Sequence, residues 1–315
     1  MSIVDRLLAI DRRWIFLFVL MAVTIPILLP LGLPVTTTGS TRAAFEYIES
    51  LKPGDIVWLS FDYGPSSAPE NDPMAEGFLR HCFKKDLRVV VCALYPLGGL
   101  SLANSSVAIV AKEFPNKKYG TDYVNLGYKD GAEAVMRRLG ENIADAFPTD
   151  VHGTPISELP LFEPETVPVE RRTIDRVQVK APGSEVRMGI RTIGQFKVVF
   201  TAATGLIGEY WITLVNAQFG TPIIIGPTAV SAPKYYAFIN SGQLKGMLGG
   251  MKGAAEYEQL LGRKYPELSK FYMETRLFTG TKGMDAQAGI HAVIVLFIFL
   301  GNVAFLLARG RERKG

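Results

Sequence analysis

"LRVVVCALY", residues 87–95, is a run of apolar residues with three consecutive valines and no alternation of polar and apolar positions. A strand buried on both faces reads this way, and such strands belong to parallel sheets covered by helices on both sides. Outward from it the pattern repeats. "DIVWLSF" (55–61), "DYVNLGY" (122–128), "FKVVFTAA" (196–203), "PIIIG" (222–226) and "LKGMLG" (244–249) are further strand candidates. Between them lie the helical patterns "DPMAEGFLRHCFKK" (72–85), "NSSVAIVAKEF" (104–114), "DGAEAVMRRLGENIADAF" (130–147), "GEYWITLVNAQF" (208–219), "APKYYAFINS" (232–241) and "GAAEYEQLLG" (253–262), with "STRAAFEYIES" (40–50) ahead of the first strand. This alternation predicts an α/β domain over 34–262 with a doubly wound, mostly parallel sheet of the Rossmann-like or flavodoxin-like kind, of about six strands, in one body or in two lobes.

Residues 148–193 break the rhythm. Pro148, Pro155, Pro160, Pro164 and Pro168 predict an irregular surface insertion, and "DRVQVKAPGSEVRMGI" (175–190) predicts a hairpin turning at Pro182 and Gly183.

The chain has 315 residues, 48% of them hydrophobic and 20% charged, which excludes a disordered polymer. Its mean hydropathy of +0.18 comes largely from the two ends. Residues 15–33 and 289–308 are each about the length that a helix needs to cross a hydrocarbon core. Both are predicted to be transmembrane helices. A cleaved signal peptide is the competing reading of the first, but its apolar stretch is long and "PVTTTGS" (34–40) offers no small-residue cleavage site. Pro26 and Pro30 should kink or end that helix.

Arg6, Arg12 and Arg13 precede the first span, and Arg309, Arg311, Arg313 and Lys314 follow the second. Basic residues favour the cytoplasmic side. The reading is a cell-membrane (inner-membrane) protein with cytoplasmic tails 1–14 and 309–315 and an extracytoplasmic main domain. Tails of about 14 and 7 residues, set by the span limits, leave no room for a signalling domain. The net charge of +4 is mostly this terminal bias, so no nucleic-acid partner is inferred. In the segment 263–288 Tyr265, Phe271, Tyr272 and Phe278 mix with basic residues, as they would beside lipid headgroups or in a further piece of packed domain.

Ligands of open parallel sheets bind beyond the carboxyl ends of the strands. The residues expected there are Asp62, Tyr63, Tyr95, Tyr128, Thr201, Thr204, Gly226, Thr228, Gly249 and Gly250, with Lys252 following. Hydroxyls and aromatics dominate, which suits hydrogen bonding and stacking rather than proton transfer. Asp62 is the single carboxylate, or else a cap in the loop that follows.

"KGMLGGMKGAAEYE" (245–258) suggests a phosphate loop, but Met251 stands where the Walker glycine belongs and Leu248 where the first dinucleotide glycine belongs. The stretch reads as a tight turn, with anion binding at the helix start as the competing reading. His81, His152 and His291 form no metal spacing, so no metal or cofactor is expected. Cys82 and Cys92 are either buried small apolar groups or a disulfide where a helix meets the sheet. Within the second span His291 and Asn302 are the polar exceptions, and Asn302 would bond across a helix pair, either to the first span or between subunits.

These features predict a non-enzymatic scaffold or accessory subunit that binds a partner protein or small ligand and forms a homo-oligomer or joins a membrane complex. The alternative is an extracytoplasmic hydrolase or transferase acting on an anionic or lipid-linked substrate, which requires Asp62, Lys252 and Glu256 to converge.

Overall fold

The structure, a computed structural model, describes residues 11–29, 31–163, 165–168, 185–268 and 279–312. The chain divides into two compact units, Thr37–Tyr257 and the combination of Met1–Thr36 with Glu258–Gly315.

The first unit is an α/β layer structure. Its strands are β1 (Ile56–Asp62), β2 (Arg88–Ala93), β3 (Tyr123–Tyr128), β6 (Val198–Ala203), β7 (Ile223–Pro227) and β8 (Leu244–Met247), while β4 (Glu165–Pro168) and β5 (Glu185–Met188) pair antiparallel outside the main sheet. The sheet order is β3-β2-β1-β6-β7-β8, and every pairing in it is parallel. With the β4–β5 ladder set aside this is the order 3-2-1-4-5-6 of the Rossmann arrangement, whose winding reverses between β1 and β6.

Alternation along each strand divides the core. Ile56, Trp58, Val90, Cys92, Val199, Ile223 and Ile225 share one apolar cluster with Trp211, Ile212 and Val215. That face is covered by α5 (Ala132–Glu141), α6 (Ile143–Ala146), the segment 207–219 and α9 (Ala232–Asn240). On the opposite face, Phe78 of α3 (Ala68–Lys84) stacks on Phe200 of β6 at 4.5 Å between ring centroids. The helices there are α2 (Gly39–Ser50), α3, α4 (Gly99–Glu113) and the start of α10 (Gly250–Lys264). Gly246 of β8 permits the close approach of α2, since a Cβ there would stand 2.4 Å from the Ala44 nitrogen.

The segment 207–219 is not one regular helix. A short α-turn, α7 (Ile207–Tyr210), passes into a π-helix over Trp211–Asn216 and ends in α8 (Ala217–Phe219). The predicted helix 130–147 is likewise interrupted, with Asn142 leaving helical geometry and accepting from the Ala144 N–H. Two expectations are corrected here. Residues 148–163 are not a surface excursion: Ile156, Leu159, Leu161 and Phe162 are buried in the main apolar cluster, because the apolar residues between the prolines have core to cover. The predicted hairpin places its inner strand correctly at 185–188, but the partner strand is 165–168. The turn expected at Pro182 and Gly183 lies outside the described residues.

In the second unit α1 (Arg12–Leu28) and α11 (Thr279–Glu312) form an antiparallel hairpin. Gly289 allows the contact, for a Cβ there would stand 2.7 Å from the Ala22 carbonyl oxygen, and Phe18 meets Phe297 at 6.0 Å. Asp285, itself buried, accepts from the N–H groups of Leu31, Gly32 and Leu33 at 3.0, 2.8 and 3.0 Å and so holds the backbone of these three residues. Glu258 accepts from the Gly280 and Thr281 N–H groups and the Thr281 hydroxyl, supplying the acceptor that the start of α11 needs. Within α11, Thr279–Arg309 is long and apolar enough to cross a membrane, its most apolar stretch of 18 residues having a mean hydropathy of 2.6. α1 has 17 residues and carries Pro26 inside it.

Candidate functional site

The winding reversal places the carboxyl ends of β1 and β6 at the position where open α/β sheets bind ligands. Asp62, the last residue of β1, occupies that position and is fully buried. Its Oδ1 accepts from the Ser60 hydroxyl at 2.8 Å and the Leu94 N–H at 3.2 Å, and its Oδ2 accepts from the Thr201 hydroxyl and the Trp211 indole N–H, both at 2.7 Å. Burial raises its pKa to about 6, opposed by these bonds. The carboxylate therefore ties β1, β2, β6 and the π-helix together. It is neither the loop cap nor the ligand-facing acid expected from sequence. Trp211 is the partner that sequence reasoning missed: a π-helix, rare and frequent near functional sites, carries its indole to the strand end.

Tyr63 is also buried, and its hydroxyl donates to Asp72 Oδ1 at 2.5 Å. Below it α3 and α4 enclose a charged cluster. Arg80 reaches Glu113 through Nε and Nη2, each at 2.8 Å, and Glu76 through Nη2 at 3.0 Å. Burial raises the Glu76 pKa to about 7, with the Arg80 charge opposing; burial raises Asp72 as well. The Glu76–Arg80 spacing of four was legible as one helix face, whereas Glu113 on the next helix was not.

The remaining predicted residues spread along the same edge. Tyr95, half-buried, lies over Gly64, where a Cβ would come 2.7 Å from its ring. Thr204 is half-buried, and its N–H donates to the Asp62 carbonyl at 3.0 Å. Thr201 is held by Asp62, and Tyr128 donates to Asp130 at 3.0 Å. Thr228 donates to the Ser231 hydroxyl at 3.2 Å, and Gly226 accepts from the Asn71 amide at 2.7 Å.

The glycine-rich turn is spatially constrained: Gly250 has φ +62°, and a Cβ there would stand 2.9 Å from the Ala229 Cα. Gly249 accepts from the Gly253 N–H at 3.0 Å. Lys252 bonds the buried carboxylate of Glu256, which also accepts from the Thr38 N–H at 3.0 Å and hydroxyl at 2.7 Å. Burial pushes Glu256 upward, but these bonds outweigh it and its pKa is lowered.

Lys252 and Glu256 are paired, but Asp62 is not brought to them. Asp62 ends β1, whereas Glu256 lies on the helix after β8, a strand about 14 Å from β1 across the sheet. A concavity at this edge, lined by Gly131, Glu133, Arg137 and Tyr210 among others, lies open to solvent. Arg137 and Glu133 there pair with each other at 3.0 Å.

No protein-family model, curated protein or solved structure matches the chain. The site is therefore read from its own chemistry. Cys82 and Cys92 are both free and buried, so no bridge joins them; burial raises both thiols, and Cys92 Sγ lies 3.2 Å from the Trp58 indole nitrogen and 3.3 Å from the Ser60 hydroxyl. His81 is a core residue between Tyr257 at 2.6 Å and Glu49 at 2.9 Å. No group of three or more metal-ligating side chains occurs among the described residues.

While the acids turn inward, the loops of this edge turn aliphatic groups outward. Leu97 after β2 is 72% exposed, Leu206 after β6 is 58% exposed and Val230 after β7 is 90% exposed.

Proposed function

We propose that this protein is a membrane-anchored, non-enzymatic scaffold or accessory subunit whose extracytoplasmic α/β domain binds a partner protein at the carboxyl edge of its sheet. One observation carries the reading. At the position where an α/β enzyme presents its reactive groups, Asp62 is sealed by four donors, while Leu97, Leu206 and Val230 face outward from three loops. Aliphatic loop tips over a closed polar floor suit a contact surface.

Anchoring by two spans is part of the proposal. Trp14, Phe16, Leu17, Leu20 and Ile25 of α1 are exposed, as are Val295, Ile298, Phe299 and Phe305 of α11. Water does not solvate so much contiguous apolar side chain cheaply, but a bilayer does. Basic residues outside both apolar runs support cytoplasmic termini.

The test is purification from native membranes of wild type and of the triple variant Leu97→Ser, Leu206→Ser, Val230→Ser. A partner retained by wild type and lost from the folded variant supports the reading, and equal recovery from both sinks it. For topology, a reporter fused after Gly315 should be active only in the cytoplasm.

A further inference from the structure

Asn302 of α11 lies three residues, or about 4.5 Å along the axis, from Phe299 at the middle of the apolar run 290–308. It is exposed and makes no hydrogen bond with any described residue. The first span does not take it up. The residues of α11 turned toward α1 are Ala286, Gly289, Val293, Phe297, Leu300 and Ala304, all buried or half-buried. At about 100° per residue, Asn302 points to the opposite side of the helix. His291, Val295, Ile298 and Phe305 fall within about 60° of it on the same reckoning, and all four are exposed.

We propose that this outward stripe of α11 is the interface with a second copy of the same chain, joined at Asn302. An amide near the centre of a bilayer has no water to bond and needs a protein partner. Two copies inserted with one topology run their α11 helices in parallel, which sets Asn302 opposite Asn302 at equal depth. A carboxamide is both donor and acceptor, so the group is complementary to itself across a two-fold axis. A carboxylate or ammonium in its place would repel its own copy. His291 lies at the same azimuth about three turns earlier, again facing its counterpart.

The inference rests on the membrane-anchored reading above, and the experiment separates the two. Cys82 and Cys92 are buried, which leaves an introduced cysteine as the accessible thiol for oxidative cross-linking of the full chain in native membranes. Val295→Cys, on the stripe, should give a covalent homodimer, and Leu296→Cys, about 100° round the helix, should give little. Asn302→Leu should lower the dimer-to-monomer ratio about three- to thirtyfold, the range of one interhelical polar contact, and Asn302→Gln should restore most of it. Equal cross-linking at 295 and 296, no effect of Asn302→Leu, or a cross-link from residue 295 to a different protein would each overturn the homodimer while leaving the anchor standing. Release of the wild type by an alkaline carbonate wash would overturn the anchor, and the homodimer with it.

Discussion

The α/β unit and the helical hairpin distribute polarity in opposite ways. In Thr37–Tyr257 several ionisable side chains go inside: Asp62, Arg80 and His81 are fully buried, and partners from several elements meet the Asp62 carboxylate, both ring nitrogens of His81 and the Nε and Nη2 atoms of Arg80. In the hairpin apolar side chains go outside, with aromatic and aliphatic groups exposed along both helices, while Asp285 and Glu258 are used to close backbone ends. On the membrane-anchored reading proposed above, the contrast reflects the surroundings of each unit. A water-facing domain can keep a buried ion if every lone pair is satisfied, whereas a helix in hydrocarbon satisfies its own backbone and gains nothing by hiding leucine from lipid.

The strongest way to break the comparison is to remove a buried charge. Arg80→Met leaves Glu76 and Glu113 facing each other without their cation, and should lower stability by about 3–5 kcal/mol, read by chemical denaturation in detergent. A loss below 1 kcal/mol would mean that the cluster is wetter than its burial implies. Asp62→Asn should cost about 3 kcal/mol, because an amide nitrogen facing the Trp211 or Leu94 N–H leaves a buried donor unmet; the indole fluorescence of Trp211 should shift with it.

The third effect is a pH slope. Asp62 and Glu76 have folded pKa values raised to about 6 and about 7, so between the unfolded carboxyl range near 4 and those values the folded state binds more protons than the unfolded one. Their contribution is fully present below about pH 4 and is lost as pH rises through 6 to 7, at up to about 1.4 kcal/mol per pH unit for each group. Glu76→Gln should flatten the upper part of that slope in a denaturation series, and an unchanged slope would exclude Glu76 as its source.

Smaller still, Gly250→Ala should cost about 1–2 kcal/mol, since the new Cβ meets Ala229 at a positive φ. Lys252→Ala, which removes a half-exposed ammonium from a buried carboxylate that keeps its Thr38 bonds, should cost less, and the reverse ranking would favour an anion-binding role for the loop. The smallest effect belongs to the hairpin. Leu20→Ala removes a large apolar group yet should change thermal unfolding in detergent by less than about 0.5 kcal/mol, because that side chain is exposed. A cost like that of a core leucine would show that protein, not lipid, covers it.

The parallel sheet was legible because its six strands are short, uniformly apolar and spaced by helical patterns; their bounds in the fold differ from the reading by a residue or two at most ends. Helix starts were less legible. α3 begins at Ala68 and α4 at Gly99, several residues before the periodic stretches, since a first turn needs only allowed backbone and a place to dock, not apolar periodicity. Proline was overread in 148–163, where Ile156, Leu161 and Phe162 joined the core.

Local sequence determined the strands, the apolar length of α11 and the tight turn at Gly250, because each depends on near neighbours in the chain. Tertiary structure alone decided which way the polar groups face. Asp62 became a sealed node because Thr201 and Trp211, 139 and 149 residues away, arrive at its Oδ2. Asn302 became an outward group because Gly289 and Ala22 fix which side of α11 the first helix occupies. Neither orientation is encoded by residue type, since hydrogen-bond donors and helix contacts are brought to a side chain by chain segments far from it.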